Sequence, residues 1–193
     1  MTPAMQYDLR AGDIGGIRST GLFGKLIRWK KRKEGPEQTS HVWRVVEDGK
    51  FPAGPGDKHA MIVEALVREG VAPPASMTEH YGDKLDQIWI ARPINLTDRE
   101  IGEVIGWTLG QVGKKYSIAM IWRHLFGSEG GIKLGATAIC SWLVSMAERE
   151  RLEKDWGLAA AVADPADIER HIMNYEGRTH IWIKRPPWGG VLE

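Results

Sequence analysis

Cysteine occurs once in this chain, at position 140. A lone thiol cannot form an intramolecular disulfide or a multi-cysteine zinc site. It can act as a nucleophile once a neighbouring group takes its proton. Cys140 lies in a stretch whose spacing predicts a helix from about Ala136 to Leu152. Ala136, Ile139, Cys140, Leu143, Val144 and Ala147 share one apolar face of that helix. That face makes a buried, inert thiol the plain alternative. With Thr137 as N-cap, however, Cys140 falls at N3, where free N–H groups and the helix dipole favour a thiolate.

A thiolate needs a base, and the base needs an orienting group. His41 is a candidate base at the start of a predicted strand, on the same face as Trp43 and Val45. The alternative is a structural histidine at the surface. Glu64 interrupts the apolar run Met61-Ile62-Val63-Glu64-Ala65-Leu66-Val67, where a buried carboxylate needs partners. If the two strands pair as a hairpin, Glu64 can reach His41 across the sheet. Otherwise Glu64 marks one solvent-facing position. His59 is a second candidate for the third member, beside the polar Asp57 and Lys58. His80, His124, His171 and His180 are scattered and make no close metal-ligand spacing. No phosphate-binding glycine loop, dinucleotide turn or serine nucleophile elbow is present, so no cofactor or metal is expected.

The elements that must position these residues follow from periodicity. Asp13–Ser19, His41–Val46, Ala60–Val67, Gln87–Arg92 and His180–Lys184 read as strands. Asp48–Lys58 reads as a loop, and Val71–Tyr81, with Pro73-Pro74, as mostly irregular. Gly21–Lys33 and Ser117–Phe126 read as helices, with a loop at Gly127–Gly131. Thr97-Asp98-Arg99-Glu100 is a capping box opening a helix that runs to Val112. Ala163–Ile172 is a short helix entered at Asp164-Pro165. Strands concentrate in the first half and helices in the second, which is an α+β pattern.

The chain of 193 residues fits one domain, 1–193. Lys and Arg number 26 against 25 Asp and Glu, a net charge of +1, so no nucleic-acid partner is expected. The run Lys25, Arg28, Lys30 to Lys33, with Phe23, Ile27 and Trp29, would suit peripheral membrane contact through residues 22–33. The commoner explanation of such a run, given the near-zero net charge, is a solvated helix end. The first ten residues lack the apolar core of a secretory signal, and no stretch approaches the roughly 20 apolar residues a spanning helix needs. The default expectation is a cytoplasmic protein, unless a phage or secretion system exports or releases it.

The order of these pieces is Gly12-Asp13-Ile14, Ser40-His41-Val42, Val63-Glu64-Ala65, Arg92-Pro93, Gly113-Lys114-Lys115-Tyr116-Ser117 and Cys140-Ser141-Trp142-Leu143-Val144. It resembles the circularly permuted branch of the NlpC-like papain-fold cysteine hydrolases. That branch includes the YiiX-like bacterial proteins and is related to the lecithin–retinol acyltransferase group. The resemblance spans roughly residues 8–172. It implies a papain-like core, an antiparallel sheet or partial barrel against helices, with the nucleophile at a helix N-terminus. It implies Cys140 as nucleophile, His41 as base, Glu64 as the orienting member and Tyr116 in the oxyanion site. The histidine preceding the cysteine is the permuted order. Two departures are Ile139, where unpermuted peptidases often carry Asp, and Trp142, where a small or acidic residue is usual.

The expected function is a cysteine hydrolase of the amidase or peptidase type, working through a thioester on a peptide, small-molecule or lipid acyl substrate, with peptidoglycan-like peptides among the options. The alternatives are a lipid-directed acyltransferase or thioesterase at a membrane surface, and an inactive papain-fold binding module with Trp142 filling the pocket.

Overall fold

A computed structural model of the chain describes residues 5–19, 24–25, 28–29, 38–116, 137–152 and 163–186. The predicted helix Gly21–Lys33 falls largely outside these residues, and Ser117–Phe126 and Gly127–Gly131 fall wholly outside them.

Two adjacent glycines make the centre of the sheet possible. Strand β2 (Ile14–Ile17) presents Gly15 to one face and Gly16 to the other. A Cβ on Gly15 would lie 2.4 Å from the Trp43 indole, and one on Gly16 would lie 2.5 Å from the Trp89 indole. Both tryptophans are fully buried, so no side chain larger than hydrogen fits between them and the strand.

The other strands are β1 (Tyr7–Leu9), β3 (His41–Glu47), β4 (Gly49–Phe51), β5 (Met61–Leu66), β6 (Gly70–Val71) and β7 (Ala75–Ser76). They are followed by α1 (Met77–Tyr81), β8 (Ile88–Pro93) and α2 (Asp98–Leu109). The second half holds β9 (Lys115–Tyr116), β10 (Thr137–Ala138), α3 (Cys140–Leu152), α4 (Pro165–Asn174) and β11 (His180–Lys184). The main sheet runs in the order β11-β8-β2-β3-β5-β6, with β7 also paired to β5. Every pairing in it is antiparallel. β1 pairs with β4, and β9 pairs in parallel with β10. The class is mixed α+β, with an antiparallel sheet and four helices among the described residues.

The predicted alternation of β3 sorts its residues onto two cores. Val42 and Val46 join Val63, Leu143, Val144 and Ile168 in the core shared with α3 and α4. Trp43 and Val45 join Ile62, Phe51, Met77 and Tyr81 in the core beneath α1 and β4. Arg44 lies among the valines of the α3 face and is fully buried. Its guanidinium donates to Glu148 Oε1 at 3.0 Å, to the Val144 carbonyl at 3.0 Å and to the Gly12 carbonyl at 3.2 Å. This buried ion pair bolts α3 to β3.

Helix starts follow their caps. Thr97 and Glu100 form the predicted capping box of α2, and Asp164 with Asp167 forms another for α4. Three expectations need correction. Val71–Tyr81 is not irregular: β7 adds to β5, and Ser76 caps α1. Asp48–Lys58 contains β4, which is paired with β1. The helix expected from Ala136 begins at Cys140, because Thr137 and Ala138 pair with β9. Cys140 is therefore the first helical residue, not N3.

Candidate active site

His41 and Glu64 meet because of strand register. Trp43 pairs with Glu64 across β3 and β5, so His41 lies two residues along on the same face. His41 Nε2 and Glu64 Oε2 are 2.7 Å apart. The Glu64 side chain is 3% exposed, so its charge depends on protein partners rather than water. It has three. His41 is one, His80 Nδ1 reaches Oε1 at 2.8 Å, and the Tyr81 hydroxyl donates to Oε2 at 2.5 Å. Burial pushes the Glu64 carboxyl up, but the His41, Tyr81 and His80 bonds outweigh it and hold it at about 2.

The entry to β3 is tied down from behind. Glu169 of α4 accepts from the backbone N–H groups of Gln38 and Thr39 at 3.2 and 3.1 Å, and from Thr39 Oγ1 at 2.6 Å. Trp89 Nε1 donates to the same threonine hydroxyl at 2.6 Å. Ser40 Oγ accepts from the Ser19 N–H at 2.8 Å. The residue after this anchored segment is His41.

Cys140 arrives from the other side, at the start of α3. Its thiol is bonded to the His41 imidazole. Since Nε2 of His41 faces Glu64, Nδ1 is the nitrogen left for sulfur. The backbone N–H groups of Val42 and Ser141 also donate to Sγ, and so does the Tyr116 hydroxyl. Burial pushes the thiol pKa up, but His41 and the two N–H groups bring it below its ordinary value. Burial likewise pushes His41 down, yet Cys140 and Glu64 raise it to about 10. Both shifts favour the thiolate–imidazolium pair. Tyr116 is pushed up, by burial first and then by Cys140, so it keeps its proton.

A cleft of about 300 Å³ opens beside this cluster. His41, Tyr116 and Tyr81 line it, with Leu66 and Val67 supplying apolar wall and Lys84 a cation. Trp142 does not line it. Its indole packs against Trp107 at 5.3 Å between ring centres, beneath the Lys114 ammonium.

The structure thus brings together Cys140, His41, Glu64 and Tyr116. It separates His59, whose Nδ1 lies 2.7 Å from Ser76 Oγ, the cap of α1, and not at Glu64. It adds His80 and Tyr81, which lie in the segment the two prolines made look irregular. His124 and most of residues 22–33 lie outside the described residues. Among the described residues no helix is long and apolar enough to cross a membrane. Nor is any group of three or more His, Cys, Asp or Glu there placed to hold a metal ion.

The chain matches no family model and no curated protein in sequence. Its fold is similar to that of the metalloprotein YiiX from Escherichia coli O157:H7, with a TM-score of 0.53 and 14% identity. The match covers 89% of this chain and 87% of that one. At that identity the likeness is one of fold.

Proposed function

We propose that this YiiX-like fold is a permuted papain-like core and that the chain is a cysteine hydrolase or acyl transferase acting on an amide or ester. One observation carries the reading. The only cysteine, buried at the start of a helix, is hydrogen-bonded to an imidazole whose far nitrogen meets a buried carboxylate at 2.7 Å.

In this mechanism His41 holds the thiol proton and the Cys140 thiolate attacks the carbonyl carbon. The carbonyl π electrons move to oxygen. The backbone N–H groups of Val42 and Ser141 and the Tyr116 hydroxyl are the donors available to that oxyanion. When the tetrahedral adduct collapses, the bond to the leaving amine or alcohol breaks, and His41 gives that group its proton from Nδ1. A thioester on Cys140 remains. Neutral His41 then takes a proton from water, or from an acceptor amine or alcohol, which attacks the thioester. The thiolate is expelled and the imidazolium restored. Glu64 keeps the imidazole oriented and its charge balanced throughout.

The name of the structural neighbour raises the question of a metal. Among the described residues no group of three or more His, Cys, Asp or Glu is placed to hold one. The mechanism uses no metal. The placement of Trp142 against Trp107 also favours an open cleft over an inactive, tryptophan-filled pocket.

The test is an acyl-enzyme. With p-nitrophenyl acetate the protein is expected to release a burst of one equivalent of p-nitrophenolate and gain an acetyl group on Cys140, read by intact mass. Cys140→Ala is expected to show neither. An undiminished burst in Cys140→Ala would overturn the reading.

A further inference from the structure

We infer that α1 supplies a two-donor clamp, His80 and Tyr81, that fixes the Glu64 carboxylate and makes His41 share one of its oxygens. The inference rests on the reading of Cys140 and His41 as the reacting pair. Both α1 residues are positioning residues, because each touches Glu64 and not the thiol.

The geometry divides the work between them. His80 occupies Oε1 at 2.8 Å, so the carboxylate cannot turn that oxygen towards His41 without losing a bond. Tyr81 occupies Oε2 at 2.5 Å, the same oxygen that His41 meets at 2.7 Å. A second donor on that oxygen spreads its charge and weakens its pull on the imidazolium proton. His41 must surrender its Nδ1 proton to the leaving group, so a carboxylate at Nε2 that stabilised the imidazolium too strongly would slow that step.

The clamp is itself built rather than incidental. Tyr81 is buried and stacked on Trp43, with ring centres 4.3 Å apart and planes 12° from parallel. Burial and the Glu64 charge push its phenol upward, so it remains a donor. Helix α1 hangs from the strand that carries Glu64. β7 pairs Ser76 with Met61, and the Met77 N–H donates to the Ala60 carbonyl at 3.0 Å. Ser76 Oγ caps the helix and also meets His59, while Thr78 Oγ1 accepts from the Ala53 N–H at 2.8 Å. Lys84 is the further charge at this end, bonded to the His80 carbonyl at 3.2 Å and 5.6 Å from the centre of the Tyr81 ring. The groups facing Glu64 are thus His41, His80 and Tyr81, and those facing His41 are Glu64 and Cys140.

The test is the pH profile of Cys140 alkylation by iodoacetamide in the full chain, for wild type, Tyr81→Phe, His80→Leu, His80→Asn and His41→Ala. Tyr81→Phe keeps the stack on Trp43 and removes only the hydroxyl. It is expected to move the alkaline inflection, where His41 loses its proton, upward by about one pH unit, the value of one hydrogen bond to a charged group. His80→Leu is expected to slow alkylation at pH 6 by about tenfold. His80→Asn places an amide N–H where Nδ1 stood and is expected to restore most of that rate. Folded Tyr81→Phe and His80→Leu proteins with wild-type profiles would overturn the clamp while leaving the reacting pair intact. A wild-type profile in His41→Ala would instead overturn the pair and the clamp with it.

Discussion

His41 and His180 each open a strand of the main sheet, β3 and β11, and each is largely removed from water. Yet His41 is raised to about 10 and His180 is lowered to about 3. Burial pushes both down, so the difference lies in what each faces. His41 faces two groups that carry negative charge, Glu64 and the Cys140 thiolate. His180 faces His171 and the buried Arg44 cation. One imidazole is held as a cation between two negative groups, and the other is kept neutral as part of the core. Burying a histidine therefore says nothing about its charge until its neighbours are named.

The largest effect should come from the cation near His180. Glu148→Ala leaves Arg44 charged, buried and unpaired by its carboxylate. It is expected to cost about 3–5 kcal/mol in urea unfolding, as breaking one side of a buried pair does. Pairing Arg44→Met with Glu148→Leu should recover most of the loss. A neutral Glu148→Ala would show that the bolt between α3 and β3 contributes little.

Next comes the acid response. His180 has a folded pKa below its unfolded value, so its stability contribution is complete above pH 6.5 and falls as pH drops towards 3. Glu64, also lowered, adds loss only as pH falls from 4.5 through about 2. Between pH 6.5 and 4 the wild type is expected to lose roughly 3 kcal/mol through His180. His180→Gln should reduce the slope over that interval to the part the lowered Cys140 thiol contributes. An unchanged slope would remove His180 from the account.

The alkaline side separates the two imidazoles further. His41 alone would contribute stability below pH 6.5 that is lost as pH rises through 10. The lowered Cys140 thiol contributes in the opposite sense, up to its ordinary value. Wherever the folded state holds the thiolate–imidazolium pair and the unfolded chain a neutral imidazole and a thiol, the two contributions offset, so the His41 loss is felt chiefly above the ordinary thiol range, as pH rises towards 10. Cys140→Ser should begin its decline near pH 6.5 instead. A decline at the same pH in both proteins would contradict the coupling.

The smallest effect is a control at a helix start outside the Cys140–His41–Glu64 cluster. Thr97→Ala removes the N-cap of α2 and should cost about 1 kcal/mol without altering either imidazole. A shift in Cys140 reactivity in that variant would show that the site is not locally determined.

Much of this was legible in the sequence, for physical reasons. Strand periodicity of two put His41 and Trp43 on one face of β3, and a lone carboxylate in an apolar strand marked Glu64 as needing partners. The same reasoning could have found Arg44, a charge among valines whose face turns out to be sealed by α3. Tyr116 was reachable through the family resemblance, since two residues of β9 give no periodic signal. His80 and Tyr81 were hidden. They follow a diproline in a helix of five residues, too short for a 3.6-residue pattern, and strand addition of β7 is what places them. His59 was nominated for Glu64 but caps the cap. It acts on α1 through Ser76, a contact that only tertiary structure reveals.

The measurement that tests the central claim most directly is the rate of Cys140 alkylation by iodoacetamide against pH, in wild type and His41→Ala. With one cysteine the signal has a single source. An ordinary thiol titrates near about 8.5, so a thiolate held by His41 should react at pH 6 about 10²-fold faster than the variant. Fast alkylation at pH 6 that collapses in His41→Ala is the predicted result. Slow alkylation with the same midpoint in both proteins would contradict the account.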